Sequence, residues 1–432
     1  MKTKNIKSLS CLLFALSVFT NVVAQEPDKI YKSFIATAQL YTYGDQTQLP
    51  IFTLGSDTKF ELDFDDLEGG YKNYYYTYQL CDYDWKTNDL LQSFDYIKGF
   101  TQNRITNYRY SSIALTKYTH YQAILPDRNS VPSKSGNYLL KIFLDGDTSK
   151  LVFTKRLLVV DPKATLSASV IQTLGTQNFT TNQKVRFFAT ISADLNSFSA
   201  AQQVKAVVLQ NNNWNTAQKD IKPTFVRGAV LDYSSDNVAN FAGGKEWRWL
   251  DLRNFSLQTD RIDHADYGKT TTNIFLRTDV DRSAERYIYY PDYNGAYNIV
   301  TYQFINPFWQ SDYATVYFTF APPGGKPYNE KDIYLSTQFT SFGKDEKFKM
   351  KFNENTGLYE TSAFLKQGYY SYSYVLDDKN GVDVGNTLEG NYWETENNYT
   401  ILIYYKSFMD RVDQLIGISQ INSRRNRQGL GF

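Results

Sequence analysis

Short segments rich in β-branched and aromatic residues, each closed within about ten positions by Gly, Asn, Asp or Pro, recur along almost the whole chain. Such segments lie flat on pleated sheets and are too short and too densely punctuated for helical bundles, so the pattern points to an all-β fold. The clearest are 74–80, 138–144, 151–160, 184–191, 204–210, 313–320, 333–339, 369–376 and 399–405. Composition agrees, with 36 Tyr and 29 Phe against 3 Met. Helical periodicity is scarce. Its best instance is 406–418, where Phe408, Met409, Val412, Leu415 and Ile416 share one face and Gly417 lies near the end, which predicts one short C-terminal helix.

The N-terminus reads as a secretory signal peptide. Lys2, Lys4 and Lys7 precede an apolar run from Cys11 to Phe19, and Val22 and Ala24 offer the small residues a signal peptidase needs before Gln25. The apolar run is about half of the ~20 residues that cross a bilayer, and no later window is longer. Cleavage after residue 24 removes Cys11 and leaves Cys81 alone, so no intrachain disulfide is expected even in an oxidising compartment. Cys81, inside a strand pattern, reads as a small buried hydrophobe. The formal charge of +1 includes the three signal lysines, and the near-neutral remainder gives no bulk attraction for nucleic acid or an anionic membrane.

At roughly 150 residues per domain, the mature chain holds two or three cores. Asp161-Pro162 ends the 151–160 run, and Pro cannot continue a central strand, so a first β-sandwich is expected over 25–162. The segment from Gly136 through Lys155-Arg156-Leu157 reads as its last hairpin, as in immunoglobulin-like sandwiches. A middle sandwich is expected over 163–312. A third, early-set immunoglobulin-like domain is expected over 313–405, opened by a hairpin of 313–320 and 333–339 around Pro322-Pro323-Gly324-Gly325. The helix and a basic tail fill 406–432.

Catalytic chemistry would show as clustered His, Cys or paired carboxylates. His120 and His264 are the only histidines and stand far apart, which leaves little for a zinc site or a nucleophilic triad. Asp63, Asp65, Asp66 and Glu68 could offer calcium ligands or a glycosidase pair, but they alternate with Phe60, Leu62, Phe64 and Leu67. That alternation reads as a strand with one wet face ending in the Glu68-Gly69-Gly70 turn. Asp145-Gly146-Asp147 and Asp377-Asp378-Lys379-Asn380-Gly381 read as hairpin turns. No cofactor motif is present, so an enzyme is not expected. The aromatic surface is the better lead to function. Tyr74, Tyr76 and Tyr78 belong to a strand whose Tyr74-Tyr75-Tyr76-Thr77-Tyr78 run puts tyrosine on both faces, and one face alone fills a sandwich core. Trp247, Trp249, Trp309 and Trp393 sit beside turns. Arg424, Arg425 and Arg427 form a basic tail, expected to be disordered on its own or to dock on a partner. The partner-contact candidates are therefore Tyr74, Tyr76, Tyr78, Trp247, Trp249, Trp393, Arg424, Arg425 and Arg427.

Seven separated phrases then agree in order with one family. They are Gln48-Leu49-Pro50-Ile51 leading to Leu62-Asp63-Phe64-Asp65-Asp66-Leu67, Tyr74-Tyr75-Tyr76, Cys81-Asp82-Tyr83-Asp84-Trp85, Ser135-Gly136-Asn137-Tyr138-Leu139-Leu140, Leu252-Arg253-Asn254-Phe255, Leu365-Lys366-Gln367-Gly368-Tyr369-Tyr370-Ser371-Tyr372, and Glu389-Gly390-Asn391-Tyr392-Trp393-Glu394-Thr395-Glu396-Asn397. Over almost the whole mature chain they resemble the plug subunits of the Bacteroidetes type IX secretion system. The resemblance implies a non-enzymatic periplasmic protein, without cofactor or membrane span, that sits on the large outer-membrane translocon barrel and closes the periplasmic end of its channel, with other secretion subunits as further partners. It supplies no catalytic residues to carry over. The third domain is also similar to early-set domains that bind glycans elsewhere, a kinship of fold. The rival expectation is a periplasmic or surface carbohydrate-binding sandwich protein that stacks sugars on turn-borne Trp and Tyr.

Overall fold

The computed structural model describes residues 26–173, 178–195, 199–235, 238–343, 345–378 and 387–427. The expected signal peptide (1–24), residues 379–381 of one expected turn and the tail end 428–432 lie outside them. The chain is all-β, and each run singled out by its alternation is a strand, from Tyr74–Cys81 and Leu151–Val160 to Tyr369–Asp378 and Asn398–Tyr405. Segment 333–339 is shorter than expected, ending as a strand at Ser336 before a single 3-10 turn over Gln338–Thr340.

The first sandwich pairs two sheets. One runs Ile35–Thr42, Phe60–Asp66, Thr119–Leu125, Asn107–Tyr110, and the other Ile51–Thr53, Leu151–Val160, Gly136–Leu144, Tyr74–Cys81, Asn103–Arg104. Gly136–Leu144 and Leu151–Val160 form the expected antiparallel hairpin. Its turn needs Asp145 and Gly146 at φ of 56° and 71°, the left-handed region that Asp and Gly enter most readily. Between the sheets Phe64 meets Tyr74 and Phe153 edge-on and stacks on Tyr121, with centroids 4.9–5.2 Å apart. Each such pair adds about 0.5–1.5 kcal/mol to the burial of its rings.

The middle sandwich is discontinuous, which corrects the expected domain order. One sheet holds Ala164–Gln172, Asn182–Ile191, Val230–Tyr233 and Phe225–Arg227. The other runs Asn213–Ile221, Val204–Gln210, Asn398–Tyr405, Gln414–Asn422. Val204–Gln210 pairs along its whole length with Asn398–Tyr405. Residues from 170 to 241 therefore share one core with residues 399 to 421. The third domain is inserted between these two halves, with a core that runs from Leu250 to Leu388. The boundary expected at 312/313 falls inside that core. The expected hairpin of 313–320 with 333–339 also does not form: Tyr313–Ala321 pairs with Leu358–Lys366, whereas Lys331–Ser336 pairs with Tyr369–Asp378 in the opposite sheet.

The expected terminal helix is a strand. Gln414–Asn422 pairs antiparallel with Asn398–Tyr405 and closes the edge of the middle sheet. Residues 408–416 do carry a helical apolar stripe, but Leu415 and Ile416 are drawn into two different cores on opposite faces of a sheet, which only an extended backbone allows.

The two sandwiches share an apolar layer. Leu139, Leu158, Val160 and Cys81 face away from the first core and meet Val207, Leu209, Leu402, Tyr404 and Leu415, which face away from the middle core. These strands are thus buried on both sides, which is why Leu157-Leu158-Val159-Val160 and Ile401-Leu402-Ile403-Tyr404 read as unbroken apolar runs.

Candidate functional site

The strand Phe60–Asp66 is buried at all seven positions, so its acidic face is not the expected wet one. It packs on the third domain through a buried ion network. His120 Nδ1 lies 2.8 Å from Asp65 Oδ1 and its Nε2 lies 3.1 Å from Asp63 Oδ1. Lys366 Nζ and the Tyr313 hydroxyl each donate to Asp65 Oδ2 at 2.5 Å, and Tyr41 donates to Asp63. Asp65, His120 and Lys366 are 0%, 3% and 1% exposed. Burial alone would raise the Asp65 pKa, yet the Lys366 charge and the His120 contacts hold it below the usual carboxylate range. Burial disfavours the imidazolium, but the two aspartates outweigh it and His120 titrates above its ordinary value. With His120 protonated, Asp63, Asp65, His120 and Lys366 balance to neutrality. Around them Phe308 stacks on His120 at 5.2 Å, Lys366 Nζ sits 4.2 Å over Tyr118, and Asp312 accepts from the Leu115 and Thr116 backbone N–H groups. Its charged members are buried and it spans the first and third domains, which makes it a joint between them.

A second joint lies where the chain leaves and re-enters the middle sandwich. The Tyr392 N–H donates to Gly244 O at 2.8 Å, and a Cβ on Gly243 would stand 2.0 Å from Tyr392 O, so only glycine fits. Asp292 accepts from the Trp247 and Asn294 N–H groups at 2.5 and 2.6 Å. Glu246 Oε1 accepts from Tyr287 at 2.5 Å and from the Glu396 N–H, and Glu396 accepts from Asn294 and Asn422. Burial pushes the Glu246 pKa up to about 7, and burial with the neighbouring carboxylates pushes Asp292 up to about 8.

The partner-contact candidates are mostly consumed inside the molecule. Tyr74, Tyr76 and Tyr78 are at most 2% exposed and belong to the first core, which corrects their reading as surface tyrosines. The alternate positions, Tyr75 and Thr77, are the half-buried ones. Trp247 packs edge-on to Phe342 and against Gly295, Trp249 meets Tyr290 edge-on, and Trp393 carries the Arg427 guanidinium at 4.4 Å. The described part of the basic tail packs on the rest of the chain. The Val170 N–H donates to Asn426 O, Arg427 donates to Glu394 O, and Arg424 covers Tyr289 at 3.6 Å. Its docking partner, as far as 427, is therefore this chain. Arg425 alone of the tail arginines points to solvent without a ring or carbonyl described beneath it.

One apolar corner stays uncovered, and the sequence reading missed it. Leu90, Phe94, Phe408 and Met409 are 66%, 72%, 71% and 90% exposed. Leu90 precedes the one-turn helix Ser93–Tyr96 that carries Phe94, and Phe408 and Met409 lie on a loop beside this segment: Asn88 Nδ2 donates to Arg411 O at 3.1 Å, and Leu91 and Met409 line one cavity of about 370 Å³ together with Leu54 and Val412. Phe408 and Met409 were visible as an apolar pair, but the helix reading turned them inward. Among the described residues no group of three or more His, Cys, Asp or Glu side chains is placed to hold a metal, and no helix is long and apolar enough to cross a membrane.

Residues 35–161 match the family model described as the type 9 secretion system plug protein 1st domain. A crystal structure of a hypothetical protein from Parabacteroides merdae is similar over the whole fold, with a TM-score of 0.87 and 27% identity, covering 92% of this chain and 99% of that one. No curated protein matches.

Proposed function

We propose, from the premise that the chain carries the first domain of the type 9 secretion system plug proteins, that it is a non-enzymatic periplasmic subunit of that machinery which docks on the outer-membrane translocon and sterically closes the periplasmic end of its channel. The observation that carries this reading is how the family-matched domain is held. Its one sheet is fused to the middle sandwich by an apolar layer, and its other sheet is locked to the third domain by buried ion pairs. A stopper must not deform under a gradient, and a domain clamped on both faces has no free hinge at either joint. Trp247, Trp249 and Trp393 are packed on neighbouring side chains, which turns attention to the outer surface. We assign docking to the Leu90–Phe94–Phe408–Met409 corner, since exposed apolar clusters of this kind mark interaction sites and aromatic and Met side chains are enriched in interface cores.

Affinity purification of the tagged chain from envelopes is the test. Recovery of a large outer-membrane barrel is expected, together with a rise in permeability to large antibiotics when the chain is deleted. Phe94→Asp with Phe408→Asp should release the barrel without unfolding the protein. A chain recovered alone from intact envelopes overturns the reading.

A further inference from the structure

The exposed corner of the first sandwich has an apolar floor, a fixed rim and a charged edge. Leu54, Leu91 and Val412 belong to the first core or pack against it, and they line the cavity of about 370 Å³ that opens beside Met409. The floor is thus a piece of that core reached from outside. On the rim, the turn that carries Phe408 and Met409 is built from its own hydrogen bonds: the Ser407 N–H donates to Asp410 Oδ2 at 3.0 Å, the Asp410 N–H to Ser407 O at 3.1 Å and the Met409 N–H to Ser407 Oγ at 3.2 Å. A prebuilt turn that keeps two large apolar side chains in water, 71% and 90% exposed, is preorganised for a contact beyond the chain's own core.

The charges that line the cavity are unequally spent. Asp161 is paired with Lys163 at 2.9 Å, and Asp410 accepts from the Ser407 N–H and from Gln414 Nε2. Lys134 and Arg411 line the same cavity, are exposed, and hold no ion pair or side-chain hydrogen bond with a described residue. Asp89 and Asp95, on the side of Leu90 and Phe94, stand outside the lining. The unspent charge beside the apolar floor is therefore cationic, and its complement is a carboxylate. Size favours a segment over a folded face. The volume lies at the low end of the ~300–1,000 Å³ of ligand pockets, which suits one inserted side chain, whereas a stable pair of folded proteins buries about 800 Å² on each partner.

We propose that this corner takes a linear, acidic segment of the partner protein, which inserts one apolar side chain into the cavity and sets an adjoining carboxylate on Lys134 and Arg411. The inference rests on the docking role assigned to the corner and names the chemistry of what docks there.

The test is nuclear magnetic resonance of the whole chain labelled with carbon-13 at its methionine methyls. The sequence holds 3 Met, of which Met1 lies in the expected signal peptide. Met409, at the rim, reports the corner, and Met350, 3% exposed in the third core, is the internal control. Two acetylated, amidated peptides serve as probes, Gly-Asp-Phe-Leu-Asp-Gly and Gly-Lys-Phe-Leu-Lys-Gly. The acidic peptide should shift Met409 saturably and leave Met350 in place, binding at least about ten-fold tighter than the basic one, the least that one charge-assisted hydrogen bond is worth. Lys134→Glu with Arg411→Glu should reverse that preference at an unchanged melting temperature. Absence of a saturable shift, equal affinity for the two peptides, or the same preference in the folded double variant overturns the proposal. A Met409 resonance that moves with protein concentration alone also overturns it, by seating a second copy in the corner. Envelope capture separates this inference from the docking role itself. A barrel recovered equally by the native and charge-reversed chains overturns the acidic segment and leaves the docking role standing, whereas a chain recovered alone overturns the docking role and with it the partner named here.

Discussion

Lys366→Met breaks the joint between the first and third domains at its centre. The ammonium is 1% exposed and donates to Asp65 and to the Phe308 carbonyl. Methionine keeps the stem but leaves a fully buried aspartate short of one cation and a carbonyl short of one donor. Removing one partner of a buried pair costs about 3–5 kcal/mol, because the other charge stays behind. His120 remains to share the load, so the lower half of that range, about 3 kcal/mol, is expected. Asp65→Asn in the same background removes the stranded charge and should restore about 2 kcal/mol, a coupling well above the ~0.5 kcal/mol of independent sites. The sign of the pH dependence follows from His120. Its folded pKa is raised, so the stability it contributes is complete below about 6.5 and fades as pH rises through the folded value. The variant should therefore weaken further on the alkaline side. Urea unfolding followed by hydrogen exchange in Thr119–Leu125 and Tyr313–Ala321 reads the joint directly. A loss below about 1 kcal/mol in Lys366→Met, or strict additivity in the double variant, would show that the seam is solvated and the clamp argument mistaken.

The remaining expectations are cheaper to check. Glu246 titrates near 7, so the folded state holds a proton there that the unfolded chain releases above about 4.5, and stability falls as pH rises between those values. Glu246→Gln should flatten that fall, gaining about 2 kcal/mol at pH 9 and almost nothing at pH 4 in paired denaturation curves. Gly243→Ala, which drives a methyl into the Tyr392 carbonyl, should destabilise by more than about 2 kcal/mol and loosen the insertion, seen as early proteolysis near 243 and 392. Cys81 is fully buried and its thiol is pushed up to about 12, so it should resist thiol reagents until the chain is denatured.

The strands were legible because their signal is local: alternation and turn residues lie within ten positions of each other. The domain order was not, because the pairing of Val204–Gln210 with Asn398–Tyr405 spans nearly half the chain and leaves no mark at either end of the insertion except Gly243-Gly244 and Gly390. A further mark lies in the paired strands themselves. The runs Val207-Val208-Leu209 and Ile401-Leu402-Ile403 are apolar on both faces, and a two-layer sandwich has use for only one. Taken together they ask for a third layer. The acidic strand misled for the opposite reason. Asp63 and Asp65 look like a solvated face because the lysine and tyrosine that neutralise Asp65 stand some 250 to 300 residues away, and alternation alone cannot tell water from a distant ammonium.

That difference bears on how the molecule works. An apolar layer holds two domains without regard to pH, whereas a buried joint that depends on His120 does not. The first sandwich is thus held to the middle one by apolar contacts and to the third by Lys366 and Tyr313 on Asp65, a carboxylate that His120 balances from within the first sandwich. If the proposed block were to open by deforming, the Asp65–Lys366 seam is the joint expected to give. Asp63→Asn with Asp65→Asn, which leaves His120 neutral and Lys366 buried without a counter-charge, should free the third domain and leave the other two joined. Small-angle scattering would then show a longer particle while hydrogen exchange across Leu139, Leu158 and Leu402 stays slow. Exchange that rises equally at both joints would mean that the three domains unfold as one unit and that the block opens, if at all, by leaving the channel whole.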